Sequence, residues 1–240
     1  MVTARNAAMA FNRWVDRDID KQNPRTAIRE IPSGIIREQQ ALVFVIANCI
    51  IFITACYFIN QLCFYLSPIA LLVILGYSLT KRFTFLCHLV LGLGLSLAPI
   101  GAFFTLVPSF NLIPVLYGIA VLFWVAGFDI IYSLQDEEFD KDKELFSIPS
   151  YFGKNRALHI SFGFHILTAV ALIYAALKMH EQFGISYLHI IGLSGFLLLL
   201  IYQHLIVKAE DLSRVNLAFF TTNGIASLIF GVLVCIDFYV

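Results

Sequence analysis

The sequence predicts an all-α fold, a polytopic membrane helical bundle, and three observations lead there. Hydrophobic residues make up 60% of the 240 and charged residues only 13%, whereas soluble domains carry about 45–50% and roughly 25%. Mean hydropathy is +0.83. The apolar residues fall in long runs without the short alternating segments of an outer-membrane barrel. A backbone in lipid must satisfy its own hydrogen bonds, so these runs are helices. The net charge of zero leaves no basic field to draw in nucleic acid. The five cysteines, at 49, 56, 63, 87 and 235, form no CxxC pair and read as small apolar side chains.

Seven segments have the composition of spans: 41–60, 65–80, 84–106, 112–134, 157–178, 186–207 and 215–238. A crossing helix needs roughly 17–25 mostly apolar residues. The second segment is short. Pro68 suits its start, and its other end reads as a functional edge. Gly92/Gly94 and Gly192/Gly195 predict close helix approach. Residues 1–30 hold six Arg or Lys and no apolar core, so no cleavable signal is expected in them. The stretches 13–38 and 135–156 are long for connectors and are expected to cap a site.

Seven crossings from an N-terminus on one side put 15 of the 16 basic residues on that side; only Lys178 lies opposite. The positive-inside rule makes that side cytoplasmic and the C-terminus external. Fourteen of the 16 acids also lie there, all but Glu181 and Asp237. Acids contribute little to orientation, so their crowding needs another cause. Solvated loops account for Glu30, Glu38, Glu210 and Asp211.

Two clusters remain. Asn12, Asp16 and Asp20 are spaced i, i+4, i+8 and share one helix face. Like charges at that spacing repel unless a cation lies between them. Asp129, Asp136 and Asp140 are spaced i, i+7, i+11, again one face. Asp129 sits inside an apolar run, where an ionisable residue marks a functional site. Mg²⁺ takes hard oxygen ligands, often one or two carboxylates plus substrate phosphate. Two such faces would clamp one diphosphate. Arg25, Arg29, Lys81 and Arg82 would neutralise its other oxygens; by position alone, Lys81 and Arg82 equally fit markers of the cytoplasmic interface. Asp18, Glu137, Glu138 and Asp142 fall off the faces and are expected to be solvated. His88, His159, His165, His180, His189 and His204 show no ligand pairing and read as packed or interfacial.

FNRWVDRDIDKQNPRTAIREIPSG (11–34), YSLTKR (77–82) and DIIYSLQDEEFDKDKELFSIPSYFG (129–153) resemble, in order and spacing, the two aspartate-rich motifs and the Tyr-x-x-x-Lys-Arg helix end of the UbiA superfamily of intramembrane prenyltransferases. The NPRT…REIP run and the second motif look closest to the bacterial 4-hydroxybenzoate polyprenyltransferase branch. The resemblance covers essentially the whole chain, as one domain over residues 1–240. It implies nine transmembrane helices around a central cavity, with Mg²⁺ as cofactor at the cytoplasmic mouth. It implies Asn12, Asp16, Asp20, Asp136 and Asp140 as metal ligands, with Arg25, Arg29, Tyr77, Lys81 and Arg82 on the diphosphate. Asp129, Lys81 and Arg82 are the expected catalytic groups.

The implied partners are a polyprenyl diphosphate, an aromatic carboxylic acid and the lipid bilayer of a bacterial inner membrane, with no nucleic acid. The implied reaction prenylates 4-hydroxybenzoate for ubiquinone biosynthesis, or a hydroxynaphthoate for menaquinone biosynthesis. The sequence departs from the family twice. Arg13 stands where the family usually has Asp, and only 11 residues precede Asn12 where the family has about one and a half helices. The chain is therefore expected to be N-terminally short. Two rivals remain open at this level. A transporter would place its ionisable residues near the midplane, and a CDP-alcohol phosphotransferase would need a DG-x2-AR element that is absent.

Overall fold

The computed structural model describes residues 1–184 and 186–239. Among them the regular elements are helices. Helix α1 (Val2–Val15) runs into the short α2 (Arg17–Asp20). The spans follow as α3 (Glu38–Ile59), α4 (Gln61–Thr80), α5 (Cys87–Leu106) and α6 (Leu112–Ser133). A 3₁₀ turn at Leu134–Asp136 leads to α7 (Glu137–Asp142) and α8 (Ile148–Phe152). Then come α9 (Lys154–Phe183), α10 (Tyr187–Ile206) and α11 (Asn223–Asp237), the last entered through a π-helical turn at Leu217–Thr222. Seven of these helices are long and apolar enough to cross a membrane, matching the seven expected segments.

Spans adjacent in sequence pack against one another in order, from α3 on α4 to α10 on α11, and α1 packs on α3 and α4. The centre is α6. Its apolar window is 44% buried against 17% for α3, because it packs on both α5 and α9. The α5–α6 approach depends on Gly92, where any Cβ would run into the backbone carbonyl of Leu122. At Gly192 the fit is milder, a Cβ meeting the Leu233 side chain of α11 at 3.2 Å, whereas Gly94 and Gly195 have room for a methyl group.

One expectation is corrected. Pro68 lies inside α4, which begins at Asn60 with its side chain accepting from the Cys63 N–H; the ring is accommodated and does not start the helix. The stretch 135–156, long for a connector, carries helices of its own. It folds into α7 and α8, with Ser147 capping α8, and it docks on the end of α4 through a Phe146 N–H donated to the Lys81 carbonyl at 2.8 Å. Gly153, at φ +80, supplies the backbone conformation between α8 and α9 that L side chains rarely adopt. The ends of α1, α4, α6 and the start of α5 thus meet at one surface, beneath α2 and α7.

Candidate active site

A cavity of about 240 Å³ opens at that surface. Asn12, Asp16 and Asp20 line it from the α1–α2 junction, and Asp129 and Asp136 from α6 and the turn after it. The two motifs, from opposite halves of the chain, therefore face one space. Arg25, Arg29, Tyr77, Lys81 and Arg82 line it too. Of the expected site residues only Asp140 is set apart. Its side chain is wholly enclosed and it does not line the cavity.

The acids are held by the bases. Arg29 Nη1 reaches both oxygens of Asp20, at 2.9 and 2.7 Å. Arg82 Nη2 lies 3.1 Å from Asp16, and Lys81 Nζ 2.6 Å from Asp140. Arg25 grips Asp136 through two guanidinium nitrogens and donates to the Tyr132 hydroxyl at 2.7 Å, with its head over the Tyr132 ring. Three of these pairs are cross-links between motifs. Arg25 follows the first motif and binds the second, while Lys81 and Arg82, adjacent at the end of α4, take one motif each. Cations at a helix C-terminus are also favoured by its dipole.

Burial alone would lower the pKa of Arg25, but the hydrogen bond and charge of Asp136 outweigh it and the pKa is raised. Burial likewise opposes the charge on Lys81, and Asp140 restores it and raises the pKa. For Asp16 burial wins over Arg82 and lifts the carboxyl above its usual value.

Several residues emerge that spacing did not single out. Asn23 donates to Asp136 at 3.0 Å beside Arg25. His88, at the start of α5, is packed as expected and also stands with Nδ1 2.7 Å from Asp129 Oδ2. His165 and His204 also pair, at 2.8 Å. Glu137, expected in solvent, is buried and lies 2.6 Å from Lys141. Asp18 and Glu138 are solvated, as expected. The Ser-Ile-Pro at 147–149 was the one legible signal, since a Ser followed by an early Pro marks a helix start.

The donor set suits a hard cation. Four of the expected oxygen ligands, Asn12, Asp16, Asp20 and Asp136, share the cavity. That pattern fits Mg²⁺, which completes its shell with water and phosphate rather than with a full protein cage.

The model of the UbiA prenyltransferase family matches residues 1–225. The chain belongs to that family. It is an integral membrane protein and a prenyltransferase, which sets aside the transporter and the CDP-alcohol enzyme. It is 29% identical over 227 residues to the 4-hydroxybenzoate octaprenyltransferase of Tolumonas auensis, covering 95% of this chain and 78% of that one. The protein of the same name from Blochmanniella floridana is 30% identical over 227 residues, covering 94% and 78%. Among solved structures, the apo UbiA homologue of Aeropyrum pernix K1 superposes with a TM-score of 0.87 at 32% identity, covering 98% of this chain and 86% of that one. A UbiA homologue of Archaeoglobus fulgidus, bound to GPP and Mg²⁺, shares the fold at a TM-score of 0.66 and 21% identity, covering 100% and 87%.

Proposed function

We propose that this UbiA-family prenyltransferase moves a polyprenyl group from its diphosphate to an aromatic acid, 4-hydroxybenzoate, on the route to ubiquinone. One observation carries the donor side: four acids and four cations of the family's motifs surround a single cavity at the end of an apolar bundle. The name shared by the curated relatives supports the acceptor and ubiquinone synthesis.

Asn12, Asp16 and Asp20 would hold Mg²⁺ on one wall and Asp136 on the other. Asp140, enclosed beside Lys81, acts in this geometry as the anchor of that lysine. Bound Mg²⁺ supplies charge neutralisation to the departing diphosphate. Arg25, Arg29, Lys81 and Arg82 bind its remaining oxygens as fixed cations, the preorganised electrostatic contribution that needs no rearrangement during reaction. Tyr77 lies one helical turn below Lys81 and bounds the space where the allylic carbon would sit. The apolar helices keep water from the cation that forms there. Because 15 of 16 basic residues lie on the side of the site, the positive-inside rule supports a cytoplasmic cavity in a bacterial inner membrane.

The test is transfer itself. Purified chain, geranyl diphosphate and Mg²⁺ are given 4-hydroxybenzoate or a hydroxynaphthoate. Prenylated 4-hydroxybenzoate, lost on chelation, is the expected product. Prenylation of the naphthoate alone would move the enzyme to menaquinone synthesis. No prenylation of either would end the aromatic-acceptor reading.

A further inference from the structure

Asp129 differs from the other acids around the cavity. Asp16, Asp20, Asp136 and Asp140 each have an Arg or Lys partner. Asp129 has none among the described residues; its partner is His88. The two-turn offset from Asp136 puts Asp129 about 10 Å deeper along α6, below the level of the cations. One carboxylate oxygen is engaged by His88 Nδ1 at 2.7 Å. The side chain is 24% exposed and lines the cavity, so the other oxygen is free to meet a substrate.

The histidine is held from behind. It is 2% exposed, and its Nε2 accepts the backbone N–H of Ile148 at 3.2 Å. A nitrogen that accepts cannot also carry a proton, which assigns the neutral ring with hydrogen on Nδ1, donating to Asp129. The ring therefore holds the carboxylate in place without neutralising it. The Ile148 amide in turn belongs to α8, whose cap Ser147 borders the same cavity.

We propose that Asp129 is the base of the transfer and that His88 is its positioning residue. This rests on the aromatic-acceptor reading above. As the allylic C–O bond breaks, the diphosphate leaves with the bonding pair, and a ring π pair forms the new C–C bond. The C–H pair at the attacked carbon then restores the aromatic ring, and the proton passes to the free oxygen of Asp129. A deep acid without a bound cation suits that task, since it is neither a diphosphate counter-charge nor quenched by one. His88 fixes the carboxylate as the orienting member of a base pair does.

The experiment uses the full chain in detergent with Mg²⁺, geranyl diphosphate and 4-hydroxybenzoate, either unlabelled or deuterated at the ring carbons beside the hydroxyl. Asp129→Asn and His88→Leu should lower kcat, by about 100-fold or more for the first. Both should raise the isotope effect on kcat above the wild-type value, because loss of the ring proton becomes limiting. His88→Gln, which keeps a donor and an acceptor, should restore both toward wild type. Binding of geranyl diphosphate should be unchanged in all three. Should His88→Leu fail to fold by thermal denaturation, Asp129→Asn and His88→Gln decide. A fall in kcat with no change in isotope effect would overturn the base, as would weakened diphosphate binding in step with kcat. If the wild-type chain prenylates no aromatic acid, the acceptor reading fails and this proposal with it.

Discussion

Arg25 does three things at once: it grips Asp136, donates to the Tyr132 hydroxyl and stacks over the Tyr132 ring. A lysine keeps the charge but cannot reproduce the planar fork. Arg25→Lys should therefore lower kcat/KM by about tenfold or more, equivalent to about 1.4 kcal/mol of transition-state stabilisation, as read by steady-state kinetics. Asp16 carries a different prediction. Burial lifts its carboxyl above the usual value in the metal-free chain, so Mg²⁺ binding, which needs it ionised, should weaken on acidification from a higher pH than an ordinary carboxylate would dictate. Mg²⁺ titrations of the purified chain across pH read this, and Asp16→Asn should weaken Mg²⁺ binding and flatten its dependence on pH. Most of the residues at this scale were legible. The i, i+4 and i+7 spacings named the acids, and their neighbours named the bases. What spacing could not give was pairing. Asp140 and Lys81, or Asp129 and His88, are joined only by the packing of α4, α5, α6 and α7, and no local pattern encodes that. Glu137 was misjudged because the position of α7 over the bundle, rather than helical phase, decides its burial.

At the level of elements, α5 and α6, which both line the cavity, approach closely at Gly92. Gly92→Ala forces a methyl group into the Leu122 carbonyl. It should cost about 1–3 kcal/mol as overpacking and lower the melting temperature, while Gly94→Ala, with room around it, should leave it nearly unchanged. Thermal denaturation in detergent compares the two. The spans themselves were readable from hydropathy, since lipid imposes helix on any long apolar run. Their ends were less so. Extended α9 runs Lys154–Phe183, beyond the expected 157–178, because its last turns carry Lys178 and Glu181 as an ion pair in the helix. Hydropathy alone does not reveal such polar turns. Glycine pairs predicted two close approaches, and only Gly92 and Gly192 of the four make them.

Across the whole molecule, apolar helices form a container whose charged groups gather mostly at one end. Four ion pairs tie the two aspartate motifs, α4 and α7 into a single charged lid over the bundle. That architecture accounts for a composition with few charges, almost all of them on one side. It also sets the account's central claim, that both motifs act on one diphosphate through one cavity. Binding of geranyl diphosphate to the purified chain, measured with Mg²⁺ and with chelator for wild type, Asp16→Ala and Asp136→Ala, tests it most directly. The prediction is Mg²⁺-dependent binding that either substitution weakens by about tenfold or more, about 1.4 kcal/mol. Binding that survives chelation, or that either variant retains in full, would contradict it.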